Sequence, residues 1–405
     1  MSHCPAQQEH YMNTNHFRFT GSGDEYFKIW IVNILLSILT LGIYSAWATV
    51  RNRRYFYGNT WLAEANFEYH ATPMQILVGR AVAIGLLVAY TLLSETFPII
   101  GFGLLLLIML AAPWLIWRSM QFGARMSSYR NVRFSFHGGL GDAYRYFLWI
   151  PLFPIALGAL VALGLYLADI HSSTVYINVM IVTGIATYLI IPYVQSLATR
   201  YHLNYSQYGQ GKFVTSVTTG QFYVIYLKWL GVSVLGSVLV SVIFGIIGML
   251  VIAGAGMGIS DFFSGGGADE SQLATLIMVM LPFIFLLYFI IILFGVFTNA
   301  YLKTQMRNYV FNHTALDNAI ALGSSLTTWG LFKVYATNLL LIMLTMGLAT
   351  PWVKVRLHRF MLEHTQAHVE GDLGQYVTQQ QNLQSSLGDE MGDAFDLQGG
   401  FEVGL

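Results

Sequence analysis

Long apolar runs separated by short polar links dominate this chain. Six runs, at about 74–94, 98–118, 146–169, 175–198, 227–257 and 273–300, have the roughly 20 residues needed to cross about 30 Å of hydrocarbon. They come in pairs. Two further apolar segments, 26–50 and 331–353, lie towards the ends. Between the pairs the pattern changes period. The segment VRFSF (132–136) alternates apolar or aromatic with polar residues, follows a turn rich in Asn and Gly, and stops before Gly. FRFTG (17–21), KFVTSV (212–217) and NFEYHATP (66–73) resemble it. Period-two alternation bounded by turn formers predicts a β-hairpin before each membrane hairpin. Strands this short are unstable alone, so they are expected to pair with one another into a small sheet.

The fold class this predicts is an all-α polytopic membrane protein. Six full transmembrane helices form three hairpins, with two terminal re-entrant or spanning segments and short cytoplasmic β-hairpins between them. The organisation read from composition is a polar tail over 1–16, a membrane domain over 17–364 and an acidic tail over 365–405. The first segment has no basic-then-apolar leader pattern, so insertion is expected to be directed by the spans themselves. The last is rich in Gln, Gly, Ser, Asp and Glu without Lys or Arg, which predicts disorder.

Charge sets the orientation. Only 10% of residues are charged and 55% are hydrophobic, against about 25% charged in soluble proteins. The links within pairs, Ser94–Pro98, Asp169–Thr174 and Ser260–Gln272, contain no Lys or Arg. The links between pairs hold Arg118, Arg125, Arg130, Arg133, Arg145, Arg200, Lys212, Lys303 and Arg307. Positive residues flanking membrane segments stay in the cytoplasm, so most polar loops and the C-terminal tail are expected there. Arg80 and Lys228 lie close enough to that side to snorkel. Segment 26–50 begins after a strand like the cytoplasmic ones and ends at Arg51, Arg53 and Arg54. Segment 331–353 begins the same way and ends at Lys354, Arg356 and Arg359. A single run of that length cannot cross twice. Either both segments turn back near Gly42 and Gly347, or both span and the total is eight.

The same segments carry a repeat. Asn33, Thr40, Gly42, Trp47, Arg51 and Arg54 return 305 positions later as Asn338, Thr345, Gly347, Trp352, Arg356 and Arg359. Shared leucine content cannot produce that register. Asn33, Thr40, Gly42, Trp47, Asn338, Thr345, Gly347 and Trp352 are therefore the pore or cavity candidates. The plainer alternative is close helix packing at the glycines and interfacial tryptophans. Arg51, Arg53, Arg54, Lys354, Arg356 and Arg359 are candidates for anionic lipid headgroups on the cytoplasmic side, each worth roughly 1 kcal/mol. Topology anchoring alone would also account for them.

Other chemistry is sparse. Net charge is zero, so no nucleic acid is expected. Cys4 is the only cysteine, and His364 and His368 share i, i+4 spacing without a third ligand, so no metal or cofactor is expected. No nucleophile elbow, phosphate loop or zinc-protease motif occurs, so the chain is not expected to be an enzyme. No Asp, Glu or His lies at mid-span, which argues against a proton-coupled carrier.

The stretch FRFTGSGDEYFKIWIVNILLSILTLGIYSAWATVRNRRYFYGNT, with LTLGIYxxW followed by RxxRY, resembles the opening of the YjgN-like bacterial inner membrane proteins. The VRFSFHG segment is similar too. That resemblance implies a multi-pass protein of the bacterial inner membrane, of unknown function, and supplies no catalytic residues. Internal repeats favour a pore or transporter for a small solute. The alternative is a membrane scaffold or lipid-associated protein that binds a partner through its β-hairpins. Homo-oligomerisation is left open.

Overall fold

Ten short strands pair edge to edge until the last meets the first. In the computed structural model, which describes residues 13–254 and 270–384, they are β1 (Asn13–Phe19), β2 (Thr60–Leu62), β3 (Ala65–Tyr69), β4 (Ser127–Tyr129) and β5 (Val132–Phe136). The others are β6 (Ser206–Tyr208), β7 (Gly211–Thr215), β8 (Thr314–Leu316), β9 (Ile320–Ser324) and β10 (Thr365–Val369). All pairings are antiparallel and the sheet closes into a barrel. This overturns the all-α expectation. The hairpins do not lie separately between helices. Each would leave two edges unpaired, and closure alone removes every edge. The closing pair is β1 with β10, in the register Asn13↔Val369 to His16↔Gln366.

Tight turns join four of the hairpins at one end of the barrel. Two are built on consecutive left-handed residues, Arg130-Asn131 and Asp317-Asn318; the first is a two-residue turn of the kind that matches strand twist, and the second lies in the three-residue loop between Leu316 and Ile320. At the other end the chain leaves and returns through five paired positions. These are Phe19↔Thr60, Tyr69↔Ser127, Phe136↔Ser206, Thr215↔Thr314 and Ser324↔Thr365. Every excursion into helix therefore starts and finishes on the same rim.

The helical excursions are α1 (Gly23–Leu39) with α2 (Ser45–Gly58), and α3 (Pro73–Thr96) with α4 (Pro98–Arg125). Next come α5 (Leu140–Leu167) with α6 (Ser173–Asn204), and α7 (Thr219–Gly254) with α8 (Glu270–Asn312). The last pair is α9 (Thr328–Leu344) with α10 (Thr350–Glu363). Six of these helices, α3 to α8, are long and apolar enough to cross a membrane, at the six places expected. A π-helical turn, Arg145–Trp149, interrupts α5 near its start.

The chain divides into two compact units. One comprises the chain up to Phe222, Asn308–Ser325 and the chain from Met346, and so holds the whole barrel. The other comprises Tyr223–Arg307 and Leu326–Thr345. In it Gly236 lies against Phe294, whose ring a Cβ would strike at 2.3 Å, and Phe244 packs on Phe283.

The polar ends of the chain contribute more than composition suggested. The tail read as 1–16 already enters β1 at Asn13, and residues 1–12 lie outside the described region. The expectation of disorder from 365 is corrected over 365–384. Thr365–Val369 is a barrel strand, and residues 373–384 form a helix, α11. Leu373 and Val377 of that helix join the buried barrel cluster. Residues 385–405, and residues 260–269 of the third within-pair link, lie outside the described region.

Candidate functional site

Alternation along each strand sends every second side chain into the barrel. The turn end is filled by Leu62, Tyr129, Val132, Tyr208, Leu316, Ile320 and Val369. A layer of phenylalanines follows, Phe17, Phe67, Phe134 and Phe213, packed against that cluster, with Phe17 stacked on Phe67 at 6.1 Å. Two tyrosines tie one hairpin to the next. Tyr129 Oη donates to the Leu62 carbonyl at 2.7 Å, and Tyr208 Oη donates to the Tyr129 carbonyl at 2.9 Å. Burial raises the pKa of both phenols.

Eight strands make an interior that side chains just fill, and ten make a wider one. Here α11 fills the extra width at the turn end. Beyond Leu373 and Val377 it grips three hairpin turns. Tyr376 Oη donates to Asp317 Oδ2 at 2.8 Å, Gln380 Oε1 accepts from Gln210 N at 2.9 Å, and Gln381 Nε2 donates to the Arg130 carbonyl at 2.7 Å. Burial, and then the Asp317 carboxylate, raise the Tyr376 pKa. The barrel is thus stoppered at this end.

At the opposite rim each returning helix passes into its strand through one hydroxyl. Thr60, Ser127, Ser206, Thr314 and Thr365 each donate to the carbonyl four residues back, at 2.6 to 3.1 Å. The last carbonyls of a helix need such partners, and the hydroxyl supplies one where the chain must bend into sheet. An arginine followed by an aromatic residue (Arg54-Tyr55, Arg200-Tyr201 and Arg359-Phe360) sits in the preceding helical turn and fastens the loops that open the helical excursions. Tyr55 and Tyr201 donate to the carbonyls of Ser22 and Gly139, and Arg54 and Arg359 to those of Ala71 and Gly21.

Inside this rim lies a cleft of about 560 Å³. Its walls come from returning helices, with Arg53 and Tyr57 of α2, Ser119, Met120 and Gly123 of α4, and His202 and Leu203 of α6. Its floor includes Ser127, Ser135, Ser206 and two members of the phenylalanine layer, Phe134 and Phe213. No carboxylate lines it. Arg53 Nη1 donates to Tyr69 Oη at 2.8 Å, and its guanidinium lies over the Tyr69 ring.

Of the sequence-selected residues only Arg53 lines this cleft. Asn33 is 4% exposed, donating from Nδ2 to Asn52 Oδ1 at 3.0 Å, while its own Oδ1 has no partner among the described residues. Thr40 caps its helix, donating to the Leu36 carbonyl and accepting from Tyr44 N. Thr345 donates to Leu341 in the same way. The turns after them match: Leu41 and Gly42 have φ of 50° and 90°, Met346 and Gly347 of 50° and 91°. A Cβ on either glycine would meet nothing, so glycine is there for its left-handed backbone and not for helix contact. Leu41 and Met346, at 95% and 97% exposed, make both turn tips apolar. Trp47 stacks on Tyr44. Trp352 donates to Asp24 and stacks on Phe27, which locks α10 to α1. Asn338 is buried in the second unit. Arg51 and Lys354 are exposed. Arg80 donates to Ser45 Oγ and Thr49 Oγ1 of α2. Tyr57, Ser119 and His202 were not singled out from sequence, because isolated polar residues on a returning helix carry no motif.

Known proteins match along most of the chain. The family model described as "Bacterial protein of unknown function (DUF898)" matches residues 14–394. "Inner membrane protein YjgN" of Salmonella typhimurium is 29% identical over 379 residues, covering 89% of this chain and 90% of the relative. The protein of the same description from Escherichia coli K12 is 30% identical over 171 residues, covering 42% and 43%. No solved structure matches. With its six apolar helices, the chain is a multi-pass protein of the inner membrane.

Proposed function

This chain belongs to the family of bacterial proteins of unknown function DUF898, and from that footing we propose a pore or transporter for a small hydrophilic solute, with the barrel as its cytoplasmic gate. The observation that carries the reading is the polar cleft at the barrel mouth, set over a phenylalanine floor, with α11 in the opposite end. Convergent polar groups in a concave site are what a solute requires, and apolar constrictions close pores by excluding water.

In this reading the chain is made of five parallel β-α-α-β repeats, and α1–α2 and α9–α10 are re-entrant. The common rim supports both statements, as do the matching Gly42 and Gly347 turns and their exposed apolar tips. Irregular backbone at membrane depth is tolerated where protein surrounds it. The barrel, its loops and α11 lie in the cytoplasm, in keeping with positive charge along the returning helices. Thr40, Gly42, Thr345 and Gly347 shape the re-entrant turns, while Arg51, Lys354 and Arg356 face anionic headgroups. A scaffold that captures partners by strand addition has less support, because each strand edge is already paired within the barrel.

The test is flux of graded small solutes from proteoliposomes holding the full chain. Leu373→Asp should raise flux above the native protein, because a carboxylate cannot remain in the barrel cluster. Equal, background-level flux from both proteins would refute the reading.

A further inference from the structure

The cleft at the barrel mouth combines three features that bear on its ligand. It holds one permanent cation, Arg53, whose guanidinium keeps four N–H donors beyond the one given to Tyr69. Among the described residues, neither the hydroxyls of Tyr57 and Ser119 nor the His202 ring has a hydrogen-bond partner, and all three line the same cleft. No acidic side chain lines it. The surrounding charge points the same way. The four returning helices of the barrel unit, α2, α4, α6 and α10, carry nine lysines and arginines against one carboxylate, Glu363.

We propose that this cleft binds an oxyanion of the phosphate or sulfate type, with Arg53 as its charge-selecting residue. A planar guanidinium matches two oxygens of such a group at once, and the hydroxyls and imidazole supply further donors. The anionic oxygens of such a group accept hydrogen bonds, so a site of donors without carboxylates suits them and repels metal cations. The inference deepens the pore reading and rests on it for the solute's route, although the site itself is testable without flux. A phosphate presented by a lipid headgroup offers the same chemistry as a free ion.

The experiment measures equilibrium binding of radiolabelled phosphate and sulfate to the full chain in neutral detergent, with chloride at matched ionic strength. Saturable binding is expected, weakened at least tenfold by Arg53→Gln and several-fold by Ser119→Ala. Arg53→Lys should retain part of the affinity, which separates lost charge from lost packing against Tyr69. Nanodiscs of phosphatidylglycerol and of phosphatidylcholine distinguish the sources. Competition by phosphatidylglycerol assigns the site to a headgroup, and its absence assigns it to a free ion. No saturable binding, or binding that Arg53→Gln leaves unchanged with the protein folded, would overturn the proposal. Binding without solute flux would retire the pore and leave the anion site standing, whereas flux without Arg53-dependent binding would do the reverse.

Discussion

The seat of α11 in the barrel can be weakened without touching the barrel wall. Leu373 and Val377 are 7% and 2% exposed, both inside the cluster formed by the turn-end strands. Truncating a buried leucine to alanine costs about 2–5 kcal/mol, and least where neighbours can relax. Helix α11 sits at the barrel's end, so the lower part of that range, about 2–3 kcal/mol, is the expected effect of Leu373→Ala on docking. At about 1.4 kcal/mol per tenfold, the undocked population should rise roughly 30- to 150-fold. Hydrogen exchange read by mass spectrometry resolves this. Amides of 373–384 should exchange faster by that factor, while the hairpin 127–136 should keep its protection. Equal acceleration in both peptides would refute the reasoning, because the helix would then be part of the barrel's own cooperative unit. No acceleration in either would show that Leu373 contributes nothing to docking.

Alkaline pH should release the same helix. The folded state holds the Tyr376 phenol protonated, by burial and by Asp317. That stabilisation is fully present below the unfolded tyrosine pKa of about 10 and is lost as pH rises through the higher folded value. With base catalysis of exchange divided out, the protection of 373–384 should fall above pH 10 in the native protein, and Tyr376→Phe should remove that fall; constant protection in the native chain contradicts it. The closing register is open to a cross-linking test. With Cys4→Ser in the background, Asn15→Cys with Ala367→Cys places facing residues at a Cα spacing that a disulfide spans. It should oxidise readily, and a faster Asn15→Cys with His368→Cys pair would mean the register is wrong. Single cysteines at positions 22 and 368 should react with impermeant maleimide only from the cytoplasmic side; labelling from outside at either would sink the re-entrant reading of its end.

Much of this was legible in the residues. The six spans stood out because each apolar run exceeds what a soluble core needs, and VRFSF announced β5 by alternation alone. Closure of the barrel was not legible. Four of its strands, Thr60–Leu62, Ser127–Tyr129, Ser206–Tyr208 and Thr314–Leu316, are three residues long, too short for a period to register. The strand β10 and helix α11 lie in sequence whose Gln, Asp and Glu content reads as disordered. Yet Leu373, Tyr376, Val377 and Gln380 follow helical spacing. The signal was present as a pattern and hidden by composition. A turn at Gly42 was one of two alternatives the residues left open, and the hydroxyl of Thr40, read as a cavity group, bonds the chain's own backbone. The cleft draws a few residues from each of three helices, and their convergence exists only after the strands pair.

Joining β1 to β10 also imposes an order in time. The first strand to leave the ribosome has its partner more than three hundred residues away, so the edge of β1 not covered by β2 must stay open through insertion of all six spans. Thr14, His16 and Arg18 on its outward face are polar enough to discourage stray pairing while it waits. The seal, α11, is made only after the wall it closes. A ribosome stalled before residue 365 would therefore leave a membrane-inserted chain with a gap in its barrel and nothing across its turn end, a form for quality-control proteases to recognise by its unpaired edges.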